Sequence, residues 1–157
     1  TKHFVEEFMP NAPELTPLEE GMLGKLGDLK TALQEKGERI KGTLKEGIDK
    51  SLWKEGGKVW ASYEVTVDKA AHSLLAEVFE LDTYTRQRTY KKEEGNLVRT
   101  IRKRIDGTRS FHIQLGKKLT ALDNRLFENW YTWKETKLSN GKTSYIVGFV
   151  PLTEYEG

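Results

Sequence analysis

Nothing constrains this chain more than the stretch from Arg125 to Val150, where two runs of alternating apolar residues flank Asn140-Gly141. Asn-Gly supplies the positive-φ positions of a tight hairpin turn, so Arg125–Lys137 and Lys142–Val150 are predicted as paired antiparallel strands. Asp106-Gly107 repeats the signal upstream, between predicted strands Leu97–Ile105 and Arg109–Leu115. Four strands joined so closely imply an antiparallel meander. Side chains alternate across a strand, which puts Phe127, Asn129, Tyr131 and Trp133 on one face and Leu126, Glu128, Trp130, Thr132 and Lys134 on the other. The charged residues assign the second face to water, so the aromatic set is predicted to point inward. Tyr145–Val150 is apolar on both faces, as in a strand covered on both sides.

Upstream of the meander the pattern is mixed. All four prolines lie at the edges (Pro10, Pro13, Pro17 and Pro151), leaving the interior free for regular structure. Residues 1–15 read as a linker, although Phe4, Val5, Phe8 and Met9 are apolar enough to dock on something. Thr16-Pro17 with Glu19 and Glu20 is a strong helix start, followed by a stripe of Leu18, Met22, Leu26, Leu29 and Leu33. Gly21, Gly24 and Gly27 interrupt that helix at about 1 kcal/mol each. Close approach of a neighbouring element would explain them, whereas a phosphate loop would need a Lys-Ser/Thr sequel that is absent.

Residues 36–57 are basic and glycine-punctuated, either a broken second helix or a long loop. Lys41, Lys45, Lys50 and Lys54 there suit a solvated face, or else an anionic membrane surface. Lys58–Val67 alternates as a strand with one wet face. Asp68 then caps a helix to about Leu81, with Ala71, Leu74, Leu75, Val78 and Phe79 inward, and the polar passage 82–95 holds one more helical turn. Helices followed by an antiparallel sheet make the class α+β.

A chain of 157 residues accommodates one domain. With 26 basic against 24 acidic residues, no global field attracts a polyanion. Without cysteine there is no disulfide, thiolate or Cys-type zinc chemistry, and the expectation is an intracellular, cytoplasmic protein. No charged-then-apolar leader follows Thr1, so no signal peptide is expected, and a start at Thr1 with a stop just after a strand suggests an excerpt of a longer chain. His3, His72 and His112 are too dispersed for a metal site. Strand spacing separates Ser110 from His112 by about 7 Å, too far for a nucleophile–base pair. Neither catalysis nor a cofactor is therefore expected. Arg99, Arg102, Lys103 and Arg104 beside Trp130 and Phe127 offer a nucleic-acid alternative, but Arg99 and Arg102 fall on opposite faces, so no nucleic-acid partner is expected.

The order of elements resembles the START domain, the steroidogenic-acute-regulatory-protein-related lipid-transfer family. The resemblance is carried by the strand ending in Val67-Asp68, the helix ending in Phe79-Glu80-Leu81-Asp82 with Arg86 and Arg88 beyond, and Arg125-Leu126-Phe127 with Trp133-Lys134 downstream. Glu19, Gly21 and the following leucines are similar to the amino-terminal helix of versions from unicellular eukaryotes. The resemblance covers about Thr16 to Val150. It implies a helix-grip fold, in which a curved antiparallel sheet grips a carboxy-terminal helix around a hydrophobic tunnel. Two departures matter for the ligand. Leu126 replaces the signature Asp, and Tyr131 stands where sterol-handling members carry an arginine paired with an acid, near His112 here, which argues against cholesterol.

The final strands and gripping helix would follow Gly157, so 16–157 is expected to be a partial START-like domain. Its lid would come from a further segment, a larger assembly or the amino-terminal helices. The expected ligand is a lipid or hydrophobic small molecule, carried or sensed against Ile101, Phe111, Ile113, Phe127, Asn129, Tyr131, Trp133 and Val147. Asn129 and Tyr131 would orient a polar head group, and peripheral membrane contact would accompany binding. The competing expectation is a non-catalytic docking or regulatory module whose interior is filled by Trp133 and Tyr131.

Overall fold

A computed structural model describes residues 2–39, 48–80, 83–92, 98–104, 109–117 and 124–156. The described residues form helices and two antiparallel sheets, α+β in class. Where the sequence suggested a single domain after a linker, the chain separates into two compact units, residues 1–23 with 70–157, and residues 24–69.

The larger unit begins with the segment read as a linker, and that reading needs correcting. Phe4–Phe8 forms a π-helical turn and Met9–Asn11 a 3-10 turn, with Phe4 buried. Helix α1 (Pro17–Lys36) starts where predicted. Thr16 and Glu19 form a reciprocal capping box: the Thr16 backbone N–H donates to Glu19 Oε2 at 2.9 Å, and the Glu19 N–H donates to Thr16 Oγ1 at 3.3 Å. Met22 and Leu23 are buried, while Leu18, placed on the apolar stripe by periodicity, is exposed.

Helix α2 (Ala71–Phe79) is capped by Ala70 with no side-chain bond, so Asp68 is not its cap. Helix α3 (Tyr84–Lys92) is longer than the single turn expected. Strands β4 (Val98–Arg104), β5 (Phe111–Lys117), β6 (Arg125–Lys137) and β7 (Thr143–Pro151) form the predicted meander in the order β4-β5-β6-β7, followed by a short α4 (Leu152–Glu156). At the Asn140-Gly141 turn, Gly141 has φ 78° and the Lys142 N–H donates to Asn140 Oδ1 at 3.0 Å. Asp106-Gly107 lies outside the described residues.

The smaller unit holds the rest of α1 and a three-stranded sheet of β1 (Glu38–Arg39), β2 (Ile48–Glu55) and β3 (Lys58–Val65). The broken helix or long loop expected from sequence over 36–57 is corrected at 48–55, which is a strand, because β2 pairs with β3 through a two-residue turn at Gly56-Gly57, φ 57° and 77°. The glycines of α1 also differ from expectation. A Cβ added at Gly21, Gly24 or Gly27 would meet nothing within 4 Å, so close packing does not account for them.

Candidate functional site

Register decides which side chains share a face of the four-stranded sheet. Phe111 opposes Tyr131 and Tyr131 opposes Phe149; Ile113 opposes both Ile101 and Asn129; Leu115 opposes Phe127; Trp133 opposes Val147. All eight predicted ligand residues therefore lie on one face. Their surroundings divide them into two groups.

At one end the face is core. Phe111, Ile113 and Trp133 are buried with Leu75, Ala76 and Phe79 of α2 and with Phe4. Phe79 meets Phe111 edge-on at 4.4 Å and Trp133 at 6.0 Å, while Phe4 stacks on Phe79 at 5.2 Å and lies 6.2 Å from Trp133. Arg109 fastens the amino-terminal segment over this end. Its Nε donates to the Pro13 carbonyl at 2.7 Å, and its guanidinium lies 4.9 Å from the centre of the Trp133 ring. Ile101, Leu115, Tyr131, Tyr145 and Val147 pack around the margin, half-buried. The indole Nε1 of Trp133 is buried with no hydrogen-bond partner among the described residues.

Toward the other end the same face opens. Phe111, Tyr131 and Phe149 stack in a row across three strands, at 5.1 and 4.9 Å. Phe111 is 1% exposed and Phe149 55%, with Phe127 at 45% and Asn129 half-buried. A second opening, a shallow cleft of about 290 Å³, runs between α2 and β7 past Leu74, Val78, Leu138, Tyr145 and Val147. On the β4 side, Tyr90 of α3 donates to the Gly116 carbonyl at 3.3 Å, and the Arg99 guanidinium lies 4.0 Å from the Tyr90 ring centre.

Burial raises the Tyr131 hydroxyl above its ordinary pKa of 10.0, and the Arg99 charge opposes the shift. The stability contributed by the neutral phenol is complete below pH 10 and lost as pH rises through the raised value. Tyr145 is raised as well, by burial and by the Glu135 carboxylate beside it, so in a spectrophotometric titration Tyr131→Phe should remove one of the phenols that ionise above the ordinary value. If only a phenol of ordinary pKa is lost on the substitution, the burial assigned to Tyr131 is wrong.

A comparison of this chain with protein families, curated proteins and solved structures returned no match.

The opposite face corrects the expectation that it is wet. Trp130 is 5% exposed and Thr132 is fully buried, together with Ser110, His112 and Gln114. The first turns of α1 cover this part: Glu19, itself buried, accepts a hydrogen bond from Ser110 Oγ, and Lys134 Nζ donates to Glu20 Oε2 at 2.8 Å. Only Leu126 at the strand's start is openly exposed among the apolar residues of this face of β6. Trp130 is thus unable to stack on a base, and it lies on the face opposite Phe127. His112 Nε2 sits 3.7 Å from Glu128 Oε1. No group of three or more metal-ligating side chains occurs among the described residues. No described helix is long and apolar enough to cross a membrane.

Sequence reasoning missed Phe149 on the Phe111–Tyr131 face, and Phe79 and Phe4 packed against that face. The first was recoverable, because the turn that pairs Lys137 with Thr143 also pairs Tyr131 with Phe149. Phe79 was already placed on the inner side of α2, but nothing in the sequence set that helix against this sheet. Phe4 carried no periodic signal at all.

Proposed function

We propose that this chain binds a lipid or other hydrophobic small molecule against the half-covered face of its four-stranded sheet, carrying or sensing it as a START-like, helix-grip domain. The observation that carries the reading is the aromatic row running from Phe111 in the core to Phe149 in solvent without a change in chemistry. Exposed aromatic surface continuous with a core is the kind of surface that a ligand, a membrane or a protein partner covers, and a concave aromatic face suits an apolar ligand. Burying it contributes about 25 cal/mol per Å² before ordering costs. The buried Trp133 indole N–H supports the reading, since a donor with no partner among the described residues would offer a hydrogen bond to a ligand acceptor. Asn129 and Tyr131, half-buried beside Phe127 and Phe149, are the polar groups nearest the opening by register. The lid over the open half would come from a partner or a larger assembly.

The competing reading, a docking module without a ligand, is favoured by Phe4 and Trp133, which occupy the covered half as close-packed core. Solvent extraction of the purified protein, with mass spectrometry for co-purifying lipid and titration of a fluorescent fatty-acyl probe, separates the two. Phe127→Asp/Phe149→Asp should weaken the probe by at least about tenfold, equivalent to roughly 1.4 kcal/mol. The double variant should stay folded with a modestly lowered melting temperature, because both rings are about half exposed and only the stack of Phe149 on Tyr131 is lost. A blank extract with no probe binding favours docking.

A further inference from the structure

We propose that the outer face of the β2–β3 hairpin is a docking surface for an anionic membrane. Pairing of Lys50 with Tyr63 and of Lys54 with Val59 places these four residues on one face of the three-stranded sheet, with Val65 opposite Ile48 beside them. Val59, Tyr63 and Val65 are 61%, 60% and 55% exposed, an apolar strip open to solvent on a sheet that buries little of its own. The charges of the hairpin are sorted by face. Asp49, Glu55 and Glu64 all alternate onto the opposite side, with Lys58, so the apolar strip is flanked within the hairpin by cations alone. One acid, Glu38 of β1, reaches the strip's face, opposite Leu52.

The inner face already has company: Trp53 stacks on Trp60 at 6.4 Å, and Lys36 at the end of α1 sits 5.0 Å from the Trp53 ring centre. On the outer face Lys50 Nζ lies 5.2 Å from the Tyr63 ring centre, and a lysine so placed can keep its charge in water while its methylenes lie along apolar surface. A tyrosine at head-group depth, aliphatic side chains beside it and lysines toward anionic phosphates are what an interfacial membrane contact uses. A second copy stacked on the same face would bring lysines against lysines, which disfavours self-association.

Flotation of the full chain with vesicles of phosphatidylcholine, alone or mixed with phosphatidylserine, tests the assignment. Binding should need phosphatidylserine and weaken with added salt. Lys54→Glu and Lys58→Glu change net charge equally but sit on opposite faces. The first should weaken vesicle binding by about thirtyfold and the second by less than about threefold. Tyr63→Ser should weaken it as well, at unchanged net charge. The proposal is overturned if anionic vesicles are not preferred, if the two lysine variants lose binding equally, or if Tyr63→Ser abolishes a concentration-dependent dimer and leaves vesicle binding intact. It stands apart from the ligand reading, because a chain that carries no lipid would still float with these vesicles.

Discussion

Phe4→Ala should destabilise the protein by about 3–5 kcal/mol, the cost of emptying a fully buried aromatic site. Phe4 is 1% exposed and touches three rings, Phe8 at 5.3 Å, Phe79 at 5.2 Å and Trp133 at 6.2 Å. Truncation would leave a void bounded by α2 and β6, whose rings are held by the rest of the fold and can only partly collapse. Phe8→Ala, at a half-buried ring on the margin, should cost roughly 1–2 kcal/mol. Urea denaturation followed by tryptophan fluorescence reads both, because Trp133 reports on the same core. A Phe4→Ala midpoint equal to that of the parent chain would return residues 1–15 to the status of a linker.

The reason the sequence concealed this contact is physical. The short segment that ends at Pro10 has no room for a periodic pattern, so its apolar residues carry no directional information. What anchors it is remote: Arg109 reaches back to the Pro13 carbonyl. Such a bond, nearly a hundred positions apart in the chain, leaves no trace in local spacing.

Elsewhere, legibility followed local chemistry. The capping box at Thr16 and Glu19, the Asn140-Gly141 turn and the alternation of β3 each declare themselves within a few residues, and all were readable. Strand β2 was not, since Ile48 and Leu52, four apart, satisfy a helical repeat and also share one face of a strand. Gly56-Gly57 ahead of β3 was the signal that should have decided it, as a two-residue hairpin turn needs both glycines at positive φ. The faces of β6 were half legible. Odd positions do share a face with the predicted ligand residues, but Glu128 and Lys134 flank Trp130 and Thr132 and say nothing about what lies over them. Cover came from the first turns of α1, a tertiary fact.

The glycines of α1 give the second large expected effect, of opposite sign. Gly21→Ala/Gly24→Ala/Gly27→Ala should stabilise the chain by roughly 2–3 kcal/mol, the sum of about 0.8–1.0 kcal/mol for each exposed interior position. All three are solvent-exposed in a helix of 20 residues, and a methyl group at any of them meets no atom within 4 Å. Gly37 just past the helix shows the contrast: a Cβ there would collide with the Leu33 carbonyl oxygen and sit 3.3 Å from Ser51 Cβ, so alanine is not tolerated for free. The gain at the other three comes from the unfolded chain, whose freedom alanine restricts while the helical backbone accepts it without strain. Circular dichroism at helical wavelengths should show a melting point raised by roughly 4–12 °C. A lowered melting point would mean that the methyl groups meet something in solution. Unchanged melting with weaker probe or vesicle binding would instead assign the glycines to a partner's approach, which neither the packing nor the spacing of this helix requires.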